Sequence, residues 1–340
     1  MIMRRLKPRQ RFLFALTFVL LALAPVRADE EWNRRSITIN STPLQGFETA
    51  APDRVRFGPL DYLGGLILRA EAPRFGGMSG LVIDASGMLL AVTDHGWWLR
   101  AKLLTDNDRP TGLANAEMAP ILGPDGKPLG RTKRFDSEAL AMHNGIAWVG
   151  LERVHEVLRF DFGRDGLAAR GQLVSVPREA KTLPSNQSFE AVCYAAAGPA
   201  RGTLIAIAER ARKGENQPTR GFILEGANKG AFDVKRHGDF DITDCAFTPD
   251  GDLILLERRF GWFSGLAMRL RRIDPRAIRP DGMLDGPDLL EAGAGTALDN
   301  MEGLAITKNE KGETILTLIS DDNFSMLQRT VLIRFRLRSE

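Results

Sequence analysis

Carboxylates recur along this sequence in a pattern that could gather them. Glu138 is followed by Glu152, Glu190 by Glu209, Asp244 by Glu257 and Glu302 by Asp321. Asp94 precedes them, with Ser79 where its partner acid would stand. In each pair the first acid opens one apolar run and the second closes the next, as in Ser137-Glu138-Ala139-Leu140 to Leu151-Glu152-Arg153. Nine such groups at one place cannot all stay ionised without counter-charge. Arg153, Arg210 and Arg258, each directly after an acid, are one source of it. A divalent cation is the other, and carboxylates with Asn300 and Asn323 nearby suit Ca²⁺ better than Zn²⁺. The four His are dispersed and give no zinc spacing.

The chemistry open to such a set is ester or phosphoester hydrolysis. A cation polarises the substrate oxygen while Glu190 or Glu302 positions water. Arg153, Arg210 and Arg258 are the candidate contacts for a substrate anion, with Lys213 a further basic candidate. His95, in Asp94-His95-Gly96-Trp97-Trp98, reads either as a general base or as a hydrogen-bonded loop residue. The Trp pair reads as blade packing or as a stacking surface. Gly77-Met78-Ser79-Gly80-Leu81 resembles a nucleophile elbow, but Leu81 stands where the last glycine is needed. The competing reading is that the acids and arginines only knit neighbouring elements together, in a binding or scaffold protein without turnover. A lactone hydrolase with a central metal is a third reading.

The elements that must bring these residues together repeat every 52–59 residues, starting near Met78, Ser137, Phe189, Thr243 and Met301. A strand-rich repeat of this period predicts an all-β fold, a β-propeller. The first strand of each blade lines the axis and the second returns antiparallel, so the start of one and the end of the other share one mouth. Turn signals such as His143-Asn144-Gly145 and Pro249-Asp250-Gly251-Asp252 divide the repeats into four strands. The last repeat has three, and the orphan strand at Tyr62–Leu68 can complete it, closing the ring. Five four-stranded blades follow, or six if residues 37–57 or 97–130 hold further strands. Residues 105–135, rich in Gly, Pro and Asp, read as the longest irregular insertion.

Residues 1–28 read as an export signal: a basic start, an apolar run from Phe12 to Ala24, and Val26-Arg27-Ala28 before the expected cleavage. A polar lead-in over residues 29–56 and a propeller over 57–340 complete the expected organisation. The first 28 residues hold six basic side chains and no acid, so the formal charge of +3 becomes −3 without them. The basic character belongs to the leader and excludes a nucleic-acid reading. A secreted or periplasmic monomer with no membrane span after cleavage is expected, its partner a small ester or phosphoester. Cys193 and Cys245 open strands of different repeats and read as two small buried apolar residues, with a disulfide as the alternative.

Phe75-Gly76-Gly77-Met78-Ser79-Gly80-Leu81, followed by Leu90-Ala91-Val92-Thr93-Asp94-His95-Gly96, resembles the opening of the phytase-like domain, also called "esterase-like activity of phytase". Asp136-Ser137-Glu138-Ala139-Leu140, Ser188-Phe189-Glu190-Ala191, Leu256-Glu257-Arg258 and Asn300-Met301-Glu302-Gly303-Leu304 are similar to its later repeats. The resemblance spans about residues 60–337. It implies an exported bacterial propeller with an esterase or phosphoesterase link. His95 stands where that family's opening usually carries Arg.

Overall fold

Runs of β-branched and large apolar residues, broken by Gly, Asn and Asp turns, fold as strands along the whole repeat region. The computed structural model describes residues 32–210, 217–261 and 265–338. The expected export signal and Lys213 lie outside these described residues. Five small sheets form the five blades of an all-β propeller. Their inner strands are Met78–Ile83, Ser137–His143, Phe189–Tyr194, Asp241–Phe247 and Asn300–Lys308. Each packs against the next, and Asn300–Lys308 against Met78–Ile83, so the ring closes.

Blades run outward from the inner strand in antiparallel register, as in Ser137–His143, Ile146–Leu151, Glu156–Asp161 and Gln172–Leu173; the exception is the outer edge of the third blade, where Met283–Leu284 joins Gly230–Val234 in parallel. Because blades stack face to face, both faces of a strand such as Leu253–Leu256 are buried. Leu90, Trp98, Leu140, Val149 and Phe160 fill the space between the first two blades. Trp97 and Trp98 are fully buried, which settles them as packing residues. The apolar end of the axis is a cavity of about 130 Å³ walled by Leu81, Leu140, Val192, Cys245, Leu304 and their neighbours.

Closure follows the sequence pattern: Leu60–Arg69 pairs with Thr330–Leu337 and completes the last blade. Three expectations are revised. Cys193 and Cys245 form a disulfide, with Cα atoms 5.9 Å apart. Their strands belong to different blades, but inner strands of successive blades face each other at the axis, within bridging distance. The stretch read as an irregular insertion begins with a long hairpin, Trp97–Asp106 and Arg109–Pro120. Asn107 and Asp108 form its two-residue turn, both at positive φ (49° and 67°). The polar lead-in contributes edge strands: Arg35–Ser36 joins the first blade and Asn40–Pro43 the last. Among the described residues no helix is long and apolar enough to cross a membrane.

Candidate functional site

The site is built by one irregularity repeated five times. In each blade the pairing of the inner strand with the second strand slips by one residue near the inner strand's start. The residues left unpaired are Ser79, Glu138, Glu190, Thr243 and Glu302. A bulge of this kind re-aims a side chain, here toward the axis. The second strands deliver the other half of the ring. Asp94, Glu152 and Glu209 donate their backbone N–H to the carbonyls of Gly77, Asp136 and Ser188, each two residues before a bulge. In the last two blades the corresponding pairs are ladder partners, Asp241 with Arg258 and Asn300 with Asp321.

Blade four therefore differs from its sequence reading by one residue. Ile242 pairs with Glu257, so Thr243 takes the bulge and Arg258 the place of the second acid. A slip of one residue turns every side chain to the opposite face. Asp244 and Glu257, both expected in the ring, lie elsewhere. Asp244 is fully buried and accepts the backbone N–H of Leu304 at 2.6 Å and of Cys245 at 2.7 Å, tying blade four to blade five. Glu257 is held by two buried guanidiniums, Arg269 at 2.7 Å and Arg271 at 2.6 Å.

Seven of the nine expected carboxylates remain at the mouth among the described residues: Asp94, Glu138, Glu152, Glu190, Glu209, Glu302 and Asp321. Oxygens of Glu152, Glu190 and Glu209 all lie within 4.8 Å of one another. Burial is the largest effect on the six inner acids, and like charge adds to it. Glu138 and Glu190 are pushed well above the usual carboxylate range by burial and by each other's neighbours. Burial lifts Glu152 to about 7 and Asp321 to about 8, with Asp136 adding to the first and Glu302 to the second. Glu209 and Glu302 are also raised, although Arg258 opposes the rise in both.

Arg258 stands 3.5 Å from Glu209 and 3.4 Å from Glu302, and its guanidinium donates to Asn300 Oδ1 at 2.8 Å. Asn300 in turn donates to Glu302 at 2.7 Å. Arg153 and Arg210 are rim residues engaged elsewhere: Arg153 meets Asp136 at 2.5 Å and Arg210 meets Asp241 at 2.9 Å. Sequence reasoning missed Asp136 and Asp241 as partners. The signal was an acid two residues before the bulge in both blades, which also aligns Thr243, not Asp244, with Glu138.

His95 sits at the rim, part-buried. Its Nδ1 is 2.6 Å from Asp94, and this hydrogen bond raises its pKa. The ring of Phe324 meets it edge-on, with centroids 4.7 Å apart. Gly77, at φ +61°, lets the backbone pass under both; a Cβ there would collide with Asp94 and with Phe324. The Ser79 hydroxyl is buried between two acceptors, the carbonyls of Gly77 at 3.2 Å and of Ser137 in the next blade at 3.1 Å, so it is not presented as a nucleophile.

The three clustered oxygens suit a hard divalent cation. Ligand oxygens at 2.3–2.6 Å from such an ion lie up to about 5 Å apart, and among the described residues Arg258, with a smaller contribution from Arg210, offsets the charge of Glu209.

A family model described as "Phytase-like: Esterase-like activity of phytase" matches residues 73–324. No curated protein matches the chain. Among solved structures, the chain is similar to the holo form of the pyranose dehydrogenase PQQ domain from Coprinopsis cinerea. That match has 10% identity and a TM-score of 0.44, covering 89% of this chain and 97% of that one. It is similar to the PQQ-bound aldose sugar dehydrogenase of Streptomyces coelicolor at 11% identity and a TM-score of 0.44, covering 83% and 99%. Glutaminyl cyclase of Myxococcus xanthus matches at 15% identity and a TM-score of 0.42, covering 78% and 92%. Likeness at this level carries nothing about the reaction.

Proposed function

The chain belongs to the phytase-like family, and we propose that it is an exported hydrolase of esters or phosphoesters whose acidic mouth holds Ca²⁺. The observation that carries this reading is the meeting of Glu152, Glu190 and Glu209 within 4.8 Å. These three would hold the cation, with Glu138, Asp321 and Asp94 around them. Bound there, Ca²⁺ would supply Lewis-acid polarisation of a carbonyl or phosphoryl oxygen.

The chain's own residues supply the rest. Hydrolysis consumes one water: its oxygen bonds to the carbonyl carbon or phosphorus, and the bond to the leaving oxygen breaks. One proton goes to that oxygen and the other leaves the acid product. Glu302, fixed by Asn300 and facing Arg258, is placed to orient the water and take a proton, and its raised pKa suits that task. His95, whose pKa is raised by its hydrogen bond to Asp94, is the candidate donor to the leaving oxygen. The Cys193–Cys245 disulfide supports an exported location, since such bonds persist in oxidising compartments.

The test is turnover of p-nitrophenyl acetate and p-nitrophenyl phosphate by the purified mature protein, with Ca²⁺ and with EDTA. Calcium-dependent hydrolysis of either, lost in Glu302→Gln with the melting curve unchanged, is the expected result. Equal rates in EDTA, or no turnover of either, would reject it. One observation favours a binding or scaffold role instead: Arg153, Arg210 and Arg258 are all paired with acids. Under that role neither compound turns over.

A further inference from the structure

The segment that leaves the acidic ring at Asp321 carries three exposed apolar side chains, the first of which, Phe324, meets His95. Phe324 is 42% exposed, Leu327 93%, and Met326 fully exposed. Large apolar residues left in water together, next to a polar cleft, mark a contact surface more than packing. The segment is anchored, not loose. Asp322 accepts the backbone N–H of Gly77 and of Phe324, both at 3.1 Å, and the Thr330 hydroxyl at 2.9 Å. Asp321 accepts the Asn323 N–H at 2.6 Å. Ser325 N–H bonds the Asp322 carbonyl at 2.8 Å, and Arg329 N–H bonds Asp299 at 3.1 Å. Asn323 and Phe324 sit at φ 49° and 48°. For phenylalanine this left-handed backbone is disfavoured, and such conformations persist where the surroundings impose them. Here they set the Phe324 ring against His95.

The electrostatics point the same way. Among the described residues seven carboxylates and one half-buried arginine surround the axis, while Arg153 and Arg210 are engaged by Asp136 and Asp241. Each arginine of this set already shares its charge with a carboxylate, so a phosphate dianion would meet a net negative surface. A neutral ester suffers no such repulsion, and its hydrocarbon part has a surface to cover.

Resting on the hydrolase reading above, we propose that the substrate is a neutral carboxylic ester with an apolar acyl chain, which lies along Phe324, Met326 and Leu327 while its carbonyl enters the acidic mouth. The ester carbonyl carbon gains the water oxygen, its bond to the alcohol oxygen breaks, and the alcohol leaves with one of the water protons. Met326 and Leu327 are specificity-determining residues in this scheme.

The test compares p-nitrophenyl acetate, butyrate and octanoate, together with p-nitrophenyl phosphate, in the wild-type protein and in the double variant Met326→Ser, Leu327→Ser. A methylene taken fully out of water is worth about fourfold. An open rim covers only part of the chain, so kcat/KM is expected to rise on the order of tenfold from acetate to octanoate. The double variant should lose that rise. A second measurement is independent of turnover: binding of 2-decanone, an uncleavable ketone of the same shape, followed by calorimetry. The wild type should bind it and the double variant should not. If no ester turns over but 2-decanone binding still depends on Met326 and Leu327, the hydrolase reading falls and the apolar surface stands. If turnover is seen with no chain-length dependence, or with the same dependence in both proteins, or if 2-decanone binds neither, the proposal is overturned.

Discussion

Removing one buried carboxylate from the ring should stabilise the calcium-free protein, and only above acidic pH. Asp321 is the clearest case, because burial and the neighbouring Glu302 push its pKa from 3.8 to about 8. Below 3.8 the carboxyl is protonated both folded and unfolded, and nothing is lost. As pH rises toward 8 the unfolded chain sheds the proton freely while the folded site resists, so stability falls across that window. The whole shift corresponds to on the order of 6 kcal/mol as an upper bound. Protons are shared around the ring, and Glu302 and Asp94 remain when Asp321 is gone, so roughly half should be recovered. The perturbation is Asp321→Asn, which keeps the oxygen that accepts the Asn323 N–H. At about 2 °C per kcal/mol for a chain of this size, the melting temperature in EDTA should rise by about 4–6 °C at pH 8. At pH 4 it should be unchanged. Thermal denaturation at the two pH values measures both. A variant less stable than wild type by the same amount at both would show that Asp321 is a structural acceptor and that the ring holds no unrelieved charge.

Other outcomes follow from the same contacts. Glu257→Gln takes from the buried Arg269 and Arg271 their closest counter-charge, leaving only Asp288 and Asp285, each at 3.7 Å, and should destabilise the fold by about 3 kcal/mol, seen as a lower melting temperature at neutral pH and no change in calcium affinity. Replacing Cys193 and Cys245 by serine opens a cross-link between residues 52 apart and should lower stability by about 2–4 kcal/mol, measured by urea denaturation with and without reductant. Gly77→Ala forces a side chain against Asp94 and Phe324 at a positive φ, and should reduce turnover well before it unfolds the chain. Circular dichroism and rate measurements on one preparation would separate the two effects.

The repeat, the five blades and the closing strand were all legible in the sequence, because each rests on local signals: apolar runs, turn residues and a regular period. The ring was legible in part. Glu138, Glu190 and Glu302 announce themselves as acids set into apolar strands, where a buried charge needs a reason. Blade four misled because Leu256-Glu257-Arg258 copies Leu151-Glu152-Arg153 letter for letter. Register is decided by pairing across the hairpin, and the ladder puts Glu257 opposite Ile242. A three-residue likeness carries no such information. The hairpin Trp97–Asp106 with Arg109–Pro120 was missed because its glycine, prolines and aspartates resemble loop composition. The Asn107-Asp108 turn was the contrary signal. The disulfide depended on which strands meet at the axis, a contact between units that no single repeat encodes.

The central claim is that bulged glutamates and strand-end acids of different blades form one cation site. Calcium titrated calorimetrically into the mature protein at pH 7.5 tests it most directly. One ion per chain is expected, with binding abolished in Glu190→Gln and Glu209→Gln and retained in Asp244→Asn and Glu257→Gln wherever those fold. Absence of binding, or binding indifferent to Glu190 and Glu209, would contradict it.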